Sequence, residues 1–200
     1  MPRKKIDGPP ADTRILCAAR KLFFKNGYDP VSTDMIAKEA RVSKATLYNT
    51  FGGKKETLIA TILKESEKFV DPKFKLPTTL SKYRPVLIEF GTNLLSQLSE
   101  DDIQRFDQVM LSQAILSPEI STDFYLNAYQ KSFDHVEELI DFGQKQGYLE
   151  SKESTKLLTE MLLHSWIGKP YHMAMYGFEN TMINRKRKRV TDVLRIVLSL

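Results

Sequence analysis

Ser32-Thr33-Asp34-Met35-Ile36-Ala37-Lys38-Glu39-Ala40-Arg41-Val42-Ser43-Lys44-Ala45-Thr46-Leu47-Tyr48-Asn49-Thr50-Phe51 is the stretch that decides the fold. Ser32 or Thr33 can N-cap a short helix running to about Ala40. Arg41, Val42 and Ser43 then form a connector, and Lys44 to Phe51 reads as a further helix with Leu47 and Phe51 inward at i and i+4. Ala37 and Ala40 are small where two helices must cross closely, and Val42 plugs the turn. This is the grammar of a helix-turn-helix whose second helix presents Lys44, Ala45, Thr46, Tyr48 and Asn49 outward. Those side chains suit a DNA groove: lysine for guanine or phosphate, asparagine for adenine, the Thr46 and Ala45 methyls for thymine, and tyrosine for a phosphate oxygen. A plain αα-hairpin with a solvated polar face satisfies the same periodicity.

Upstream, Ile15, Leu16, Ala19, Leu22 and Phe23 recur at helical spacing between Ala11 and Asn26, and Gly27 stands where a left-handed C-cap is needed. Downstream, Gly52 and Gly53 break the pattern before a helix from about Lys54 to Val70 with the stripe Leu58, Ile59, Ile62 and Leu63. Pro72 and Pro77 bracket an irregular stretch, which divides the chain into a head, 1–70, and a body, 71–200. The body reads as helices over Tyr83–Leu98, Ile103–Leu116, Pro118–Gln146, Lys152–Gly168 and Thr181–Leu200. Ser117 before Pro118 is a start signal, Gly147 a stop, and Pro170 should break or kink the chain. No segment shows a period of two, so the expected class is all-α.

Composition agrees. The 200 residues are 42% hydrophobic and 28% charged, which excludes disorder, and nine Gly and nine Pro are too few for collagen or a loop-rich sandwich. A lone cysteine, Cys17, closes no intrachain disulfide and reads as a small hydrophobe beside the first helix's core stripe. No signal-peptide run follows the N-terminus and no apolar stretch nears the roughly 18 residues of a membrane span, which points to a cytoplasmic protein without a membrane partner. Charge is uneven. Residues 1–64 hold thirteen Lys or Arg against six Asp or Glu, whereas the rest holds seventeen against nineteen, five of the seventeen in the run Arg185 to Arg189. That run reads as the solvated start of the last helix, and the basic head suits nucleic acid.

The ordered set from Thr13 to Leu63 closely resembles the N-terminal domain of the TetR family of transcriptional regulators: Phe23, Gly27 and Tyr28, then Ile36 and Ala37, Val42 and Ser43, then Thr46, Leu47, Tyr48 and Phe51. The resemblance implies a helix-turn-helix head on a helical body that binds a small effector and dimerises. The implied partners are a double-stranded DNA operator, a second copy of the chain and the effector, with no cofactor and no enzymatic role. The DNA contacts so implied are Ser32, Thr33, Ser43, Lys44, Ala45, Thr46, Tyr48 and Asn49 with either Lys54 or Lys55. The family usually has glycine where this chain has Arg41 and often where it has Ala45, and Asp34 puts a negative charge on the side that the resemblance implies faces DNA. From Phe106 through Ser117–Ile120 to Gly147 and Tyr148 the body resembles the AefR-type subgroup.

Candidate pocket residues in the body are Phe90, Leu94, Phe106, Met110, Gln113, Tyr125, Tyr129, Phe133, His164, Trp166, Tyr171 and His172, although aromatic and Met residues at helical spacing are more often core. They are mostly apolar, and no Lys or Arg lies between Arg105 and Lys131, with Lys169 the only nearby base. The expected effector is therefore small, largely apolar, and neutral or weakly cationic. His164 and His172 lack a carboxylate or cysteine at ligand spacing, so no metal is expected. Stripes formed by Leu157, Leu158, Met161 and Leu162, and by Val190, Val193, Leu194 and Val197, mark the last two helices for dimerisation. The alternative class is a small-molecule carrier or enzyme with a helical head; against it, the chain has no Ser/His/Asp or Cys/His set, no paired carboxylates in an apolar run and no Gly-rich phosphate loop.

Overall fold

A computed structural model describes residues 8–67, 76–178 and 185–200, and every regular element among them is helical. Two compact units divide the chain between Lys64 and Glu65, inside a helix. Residues 68–75, which contain the end expected for that helix and the expected boundary, lie outside the described residues.

The first unit contains α1 (Ala11–Asn26), α2 (Thr33–Glu39), α3 (Lys44–Phe51) and most of α4 (Lys54–Ser66). Ile15, Ala19 and Phe23 of α1, Ile36 and Ala37 of α2 and Leu47 of α3 make its core. Ser32 is the N-cap of α2, its hydroxyl accepting from the Met35 N–H at 3.2 Å, and Thr33 is the first helical residue. Ser43 caps α3 by accepting from the Thr46 N–H at 3.0 Å. At the end of α2, Val42 N–H donates to the Ala37 carbonyl at 2.9 Å and Arg41 N–H to that of Lys38 at 3.2 Å, a Schellman closure. Its left-handed residue is Arg41, at φ 53°, where glycine would sit without strain. The Arg14 guanidinium, from α1, donates to the carbonyls of Ala40 and Arg41 at 3.0 and 3.1 Å and so ties that turn down. Phe51 and Val42 are half-buried, and Cys17 is exposed on α1 rather than lying at the core's edge.

The second unit is built from α5 (Leu80–Gln97), α6 (Asp101–Leu116), α7 (Pro118–Phe124), a π-helical turn (Tyr125–Tyr129), α8 (Gln130–Lys145), α9 (Thr155–Met175) and α10 (Lys186–Val197). The single helix expected over 118–146 is thus interrupted by one wide turn, which apolar periodicity cannot reveal. Residues 179–184, where the last helix was expected to begin, lie outside the described residues. α5 packs on α9 and α10 at Gly91, where a Cβ would come within 2.9 Å of Val190 and 3.1 Å of the Trp166 ring. Tyr83 crosses to α8, where its hydroxyl donates to the Leu139 carbonyl at 2.9 Å.

α9 does not stop at Gly168 but continues beyond it after a break. Gly168 has φ 54° and ψ −159°, and Pro170 lacks the N–H that would meet the Trp166 carbonyl in a continuous helix. Arg189 of α10 supplies what is missing: its Nε donates to the Trp166 carbonyl at 2.5 Å and its Nη2 to the Ser165 carbonyl at 2.7 Å. A Cβ at residue 168 would collide with that guanidinium. One member of the basic run is therefore a helix clamp, whereas Lys188 pairs with Asp192 on the surface. Replacing Arg189 with Met keeps the stem but leaves two carbonyls without donors; urea unfolding should show a loss of about 2–3 kcal/mol.

Candidate DNA-reading helix and effector cavity

In the first unit, buried Leu47 anchors α3 and leaves Lys44, Ala45, Tyr48 and Asn49 exposed, with Thr46 half-exposed between them. Ser32 and Ser43 are exposed at the starts of α2 and α3, and Thr33 is half-buried. The two charges at issue in the sequence face each other: Lys44 Nζ lies 3.0 Å from Asp34 Oδ1. Asp34 holds the Lys44 ammonium above the usual lysine range, so the pair presents no net charge. Lys54 is occupied within the head, donating to the Asp29 carbonyl at 3.1 Å with its ammonium 4.1 Å from the Tyr28 ring centroid. Its burial lowers its pKa. Lys55, the other candidate, is half-buried. Arg14 and the Asp34–Lys44 pair were missed as contributors because both depend on contacts between helices.

The second unit holds a cavity of about 430 Å³ walled by the π-turn, α8 and α9. Tyr125, Tyr129, Phe133, His164, Tyr171 and His172, all expected from the sequence, line it. Phe90, Leu94, Phe106, Met110, Gln113 and Trp166 do not line this cavity: all six are buried in the packing of the unit, with Trp166 against Phe90 and Phe106 edge-on to Phe124. Gln130, Glu137, Lys156, Thr159, Glu160, Ile167 and Gly168 also line the cavity and were not expected, most of them because they are polar or charged and helical periodicity assigns such residues to a solvated face. A signal existed: Lys156, Glu160 and His164 stand at i, i+4 and i+8 on one face of α9, ahead of its break. Lys156, not Lys169, is the lysine at the wall. Both histidines turn Nδ1 to a carbonyl four residues back, His164 to Glu160 at 2.8 Å and His172 to Gly168 at 3.1 Å.

Residues 15–61 match the family described as "Bacterial regulatory proteins, tetR family". The HTH-type transcriptional regulator UidR of Escherichia coli K12 is 25% identical over 169 residues, covering 84% of each chain. Among solved structures, a putative TetR-family transcriptional regulator from Mesorhizobium loti superposes with a TM-score of 0.76 at 17% identity, covering 94% of this chain and 95% of its own. The flavonoid-responsive regulator FrrA superposes at 0.75 with 20% identity and the same coverage.

The chain carries a TetR-family DNA-binding domain over residues 15–61 and has the fold of TetR-family regulators along its length. It is a helix-turn-helix, DNA-binding regulator of transcription, a family of regulators rather than enzymes. No helix among the described residues is long and apolar enough to cross a membrane.

The stripes expected to dimerise the body divide into two sets. Leu158, Leu162, Val190 and Leu194 are buried in the chain's own core and are not available to a partner. Leu157 and Met161 are 42% and 46% exposed, and Val193 and Val197 are half-buried. Each helix has one stripe inward and a neighbouring one outward, a distinction the period alone does not make.

Behind the cavity wall, Asp107 of α6 is 3% exposed, and its Oδ2 accepts from the hydroxyls of Tyr129 at 2.8 Å and Tyr171 at 2.7 Å. The two hydroxyl oxygens also touch each other, and with Asp107 ionised both phenol protons go to its carboxylate. Burial pushes the carboxyl up to about 6, against the opposing pull of the hydrogen bonds from the two tyrosines. Burial, then the Asp107 charge, hold both phenols above their usual range, so they stay protonated. Because the folded pKa lies above the unfolded one, near 3.8, the folded state binds more protons between the two values. The contribution of Asp107 to stability is thus fully present below about pH 4 and lost as pH rises through about 6. The stability of Asp107→Asn relative to the natural protein should rise over that window and level off above it, as urea titrations at stepped pH would show.

Proposed function

We propose that the protein is a homodimeric repressor whose two α3 helices enter successive major grooves of a near-palindromic operator, and that a small molecule in the α8–α9 cavity releases it. The observation that carries the reading is the exposed row Lys44, Ala45, Thr46, Tyr48 and Asn49 on a helix anchored by Leu47, in the basic part of the chain. Groove-reading helices of such dimers are spaced by about one DNA turn, ~34–36 Å. Ser32, Thr33, Ser43 and one of Lys54 and Lys55 would add backbone contacts. The effector is small, largely apolar, and neutral or weakly cationic, as the aromatic wall favours; the fold neighbour FrrA is described as responding to flavonoids. Effector binding acts through differential affinity for two dimer states, and about 1.4 kcal/mol shifts operator occupancy tenfold. The protein works in the cytoplasm, where its operator lies.

The test is selection of bound fragments from random DNA, followed by a screen for molecules that release the selected site. An enriched inverted repeat is expected; enrichment of none at low salt overturns the reading.

Two sets of variants refine it. Tyr48→Ala and Lys44→Ala should weaken operator binding without altering helix content. Lys44→Ala should cost about 1–3 kcal/mol with altered base preference if Lys44 reads a base, and only flatten the salt dependence if it holds a phosphate. Asp34→Ala, which frees the Lys44 ammonium, should tighten binding to mixed DNA at low salt.

For assembly, Leu157→Glu with Met161→Glu should give folded monomers in sedimentation, since both side chains are outside the chain's own core. Leu194→Glu should instead unfold the body.

A further inference from the structure

The cavity has a polar end that the aromatic residues alone do not explain. Tyr129 and Tyr171 line it, and both hydroxyls are directed to the Asp107 carboxylate behind them. The three oxygens share two protons, and both are engaged within the group. What the two phenols turn toward the cavity is therefore lone pairs, with a negative charge behind them. The neighbouring wall continues in the same sense. Glu137 and Glu160 add carboxylates, and Lys156 is the single lysine or arginine among the lining residues. With Nδ1–H committed to a carbonyl, each neutral histidine ring leaves Nε2 as an acceptor. Thr159 also lines the cavity, and its hydroxyl is buried without a hydrogen-bond partner among the described residues. An unmet polar group there is the mark of a ligand that completes it.

The apolar end is equally defined. The π-turn brings Tyr125 and Tyr129 into a parallel stack, with centroids 6.4 Å apart and planes at 13°, and Phe133 follows on α8. Such wide turns re-aim side chains in otherwise regular helices. The result is a flat aromatic wall next to an acceptor-rich, carboxylate-backed end, in a volume suited to a drug-sized molecule.

We propose that this cavity takes an amphipathic amine, an apolar or aromatic body bearing a protonated nitrogen with at least one N–H, and that the Asp107–Tyr129–Tyr171 group anchors that nitrogen. The proposal rests on the reading of this cavity as the effector site and narrows it from a neutral or weakly cationic molecule to an N–H-bearing cation.

A matched series tests it: 3,3-diphenylpropylamine, its N,N,N-trimethylated form, 3,3-diphenylpropanol and 3,3-diphenylpropionic acid, each titrated into the full-length protein by calorimetry. The amine should bind about tenfold or more tightly than the alcohol, the trimethylated form should lose most of that advantage, and the acid should bind weakest. Tyr129→Phe keeps the ring and should reduce the preference of amine over alcohol. Glu160→Gln, at an exposed position, should do so in part even if Tyr129→Phe is poorly folded. Equal binding of amine and alcohol, tighter binding of the acid, or a preference unchanged in both variants overturns the proposal. Operator release separates the two readings. An amine that binds with the expected preference yet releases no DNA supports this site and counts against its role as the effector site. Release by molecules whose binding ignores these variants overturns this proposal and leaves the repressor intact.

Discussion

The body depends on one clamp, the guanidinium of Arg189 on the broken segment of α9. A helix that passes through Gly168 and Pro170 loses the donors for two carbonyls, and buried carbonyls without donors cost on the order of 1–3 kcal/mol each. Arg189 meets both at once from α10, so the break and the docking of the last helix are one event. The same contact explains why residue 168 has no side chain, because a Cβ there would occupy the guanidinium's place. Tyr171, three residues beyond the break, then reaches Asp107 at 2.7 Å. Cavity, break and final helix are thus linked through side chains that are far apart in sequence.

Asp107 shows the tension between stability and use. A buried carboxylate is costly unless it is well paired, and its partners here are two neutral hydroxyls rather than a cation. Its elevated pKa is the expression of that cost. The cavity's acceptor-rich end follows from this arrangement: phenol protons drawn inward leave lone pairs outward. An apolar residue at 107 would pack the unit with less electrostatic cost but would leave two tyrosine hydroxyls at the wall without their acceptor.

The head is governed by more local physics. Two serine caps start α2 and α3, a Schellman closure ends α2, and small alanines let the helices cross. Arg41 is the exception, since it holds a left-handed conformation that an L side chain adopts at a cost of about 1–2 kcal/mol. Arg14, donating across from α1, helps to offset that strain by fixing the two carbonyls of the turn. The exposed face of α3 is likewise partly neutralised, with Lys44 already paired to Asp34 in a solvent-exposed ion pair.

The sequence by itself determined the class, the helix-turn-helix and the exposed row on α3, because caps, periodicity and small residues at a crossing are local signals that act within a few residues of one another. It also marked six cavity residues and the break near Pro170. Only the tertiary structure decided which apolar stripe faces inward, since Leu158 and Leu162 share their helix's period with Leu157 and Met161 but not their burial. The same is true of the π-turn, of Arg189 as a clamp and of Asp107 behind the two tyrosines. Each is set by groups brought together from helices tens of residues apart, and a one-dimensional pattern carries no record of which side chain meets which.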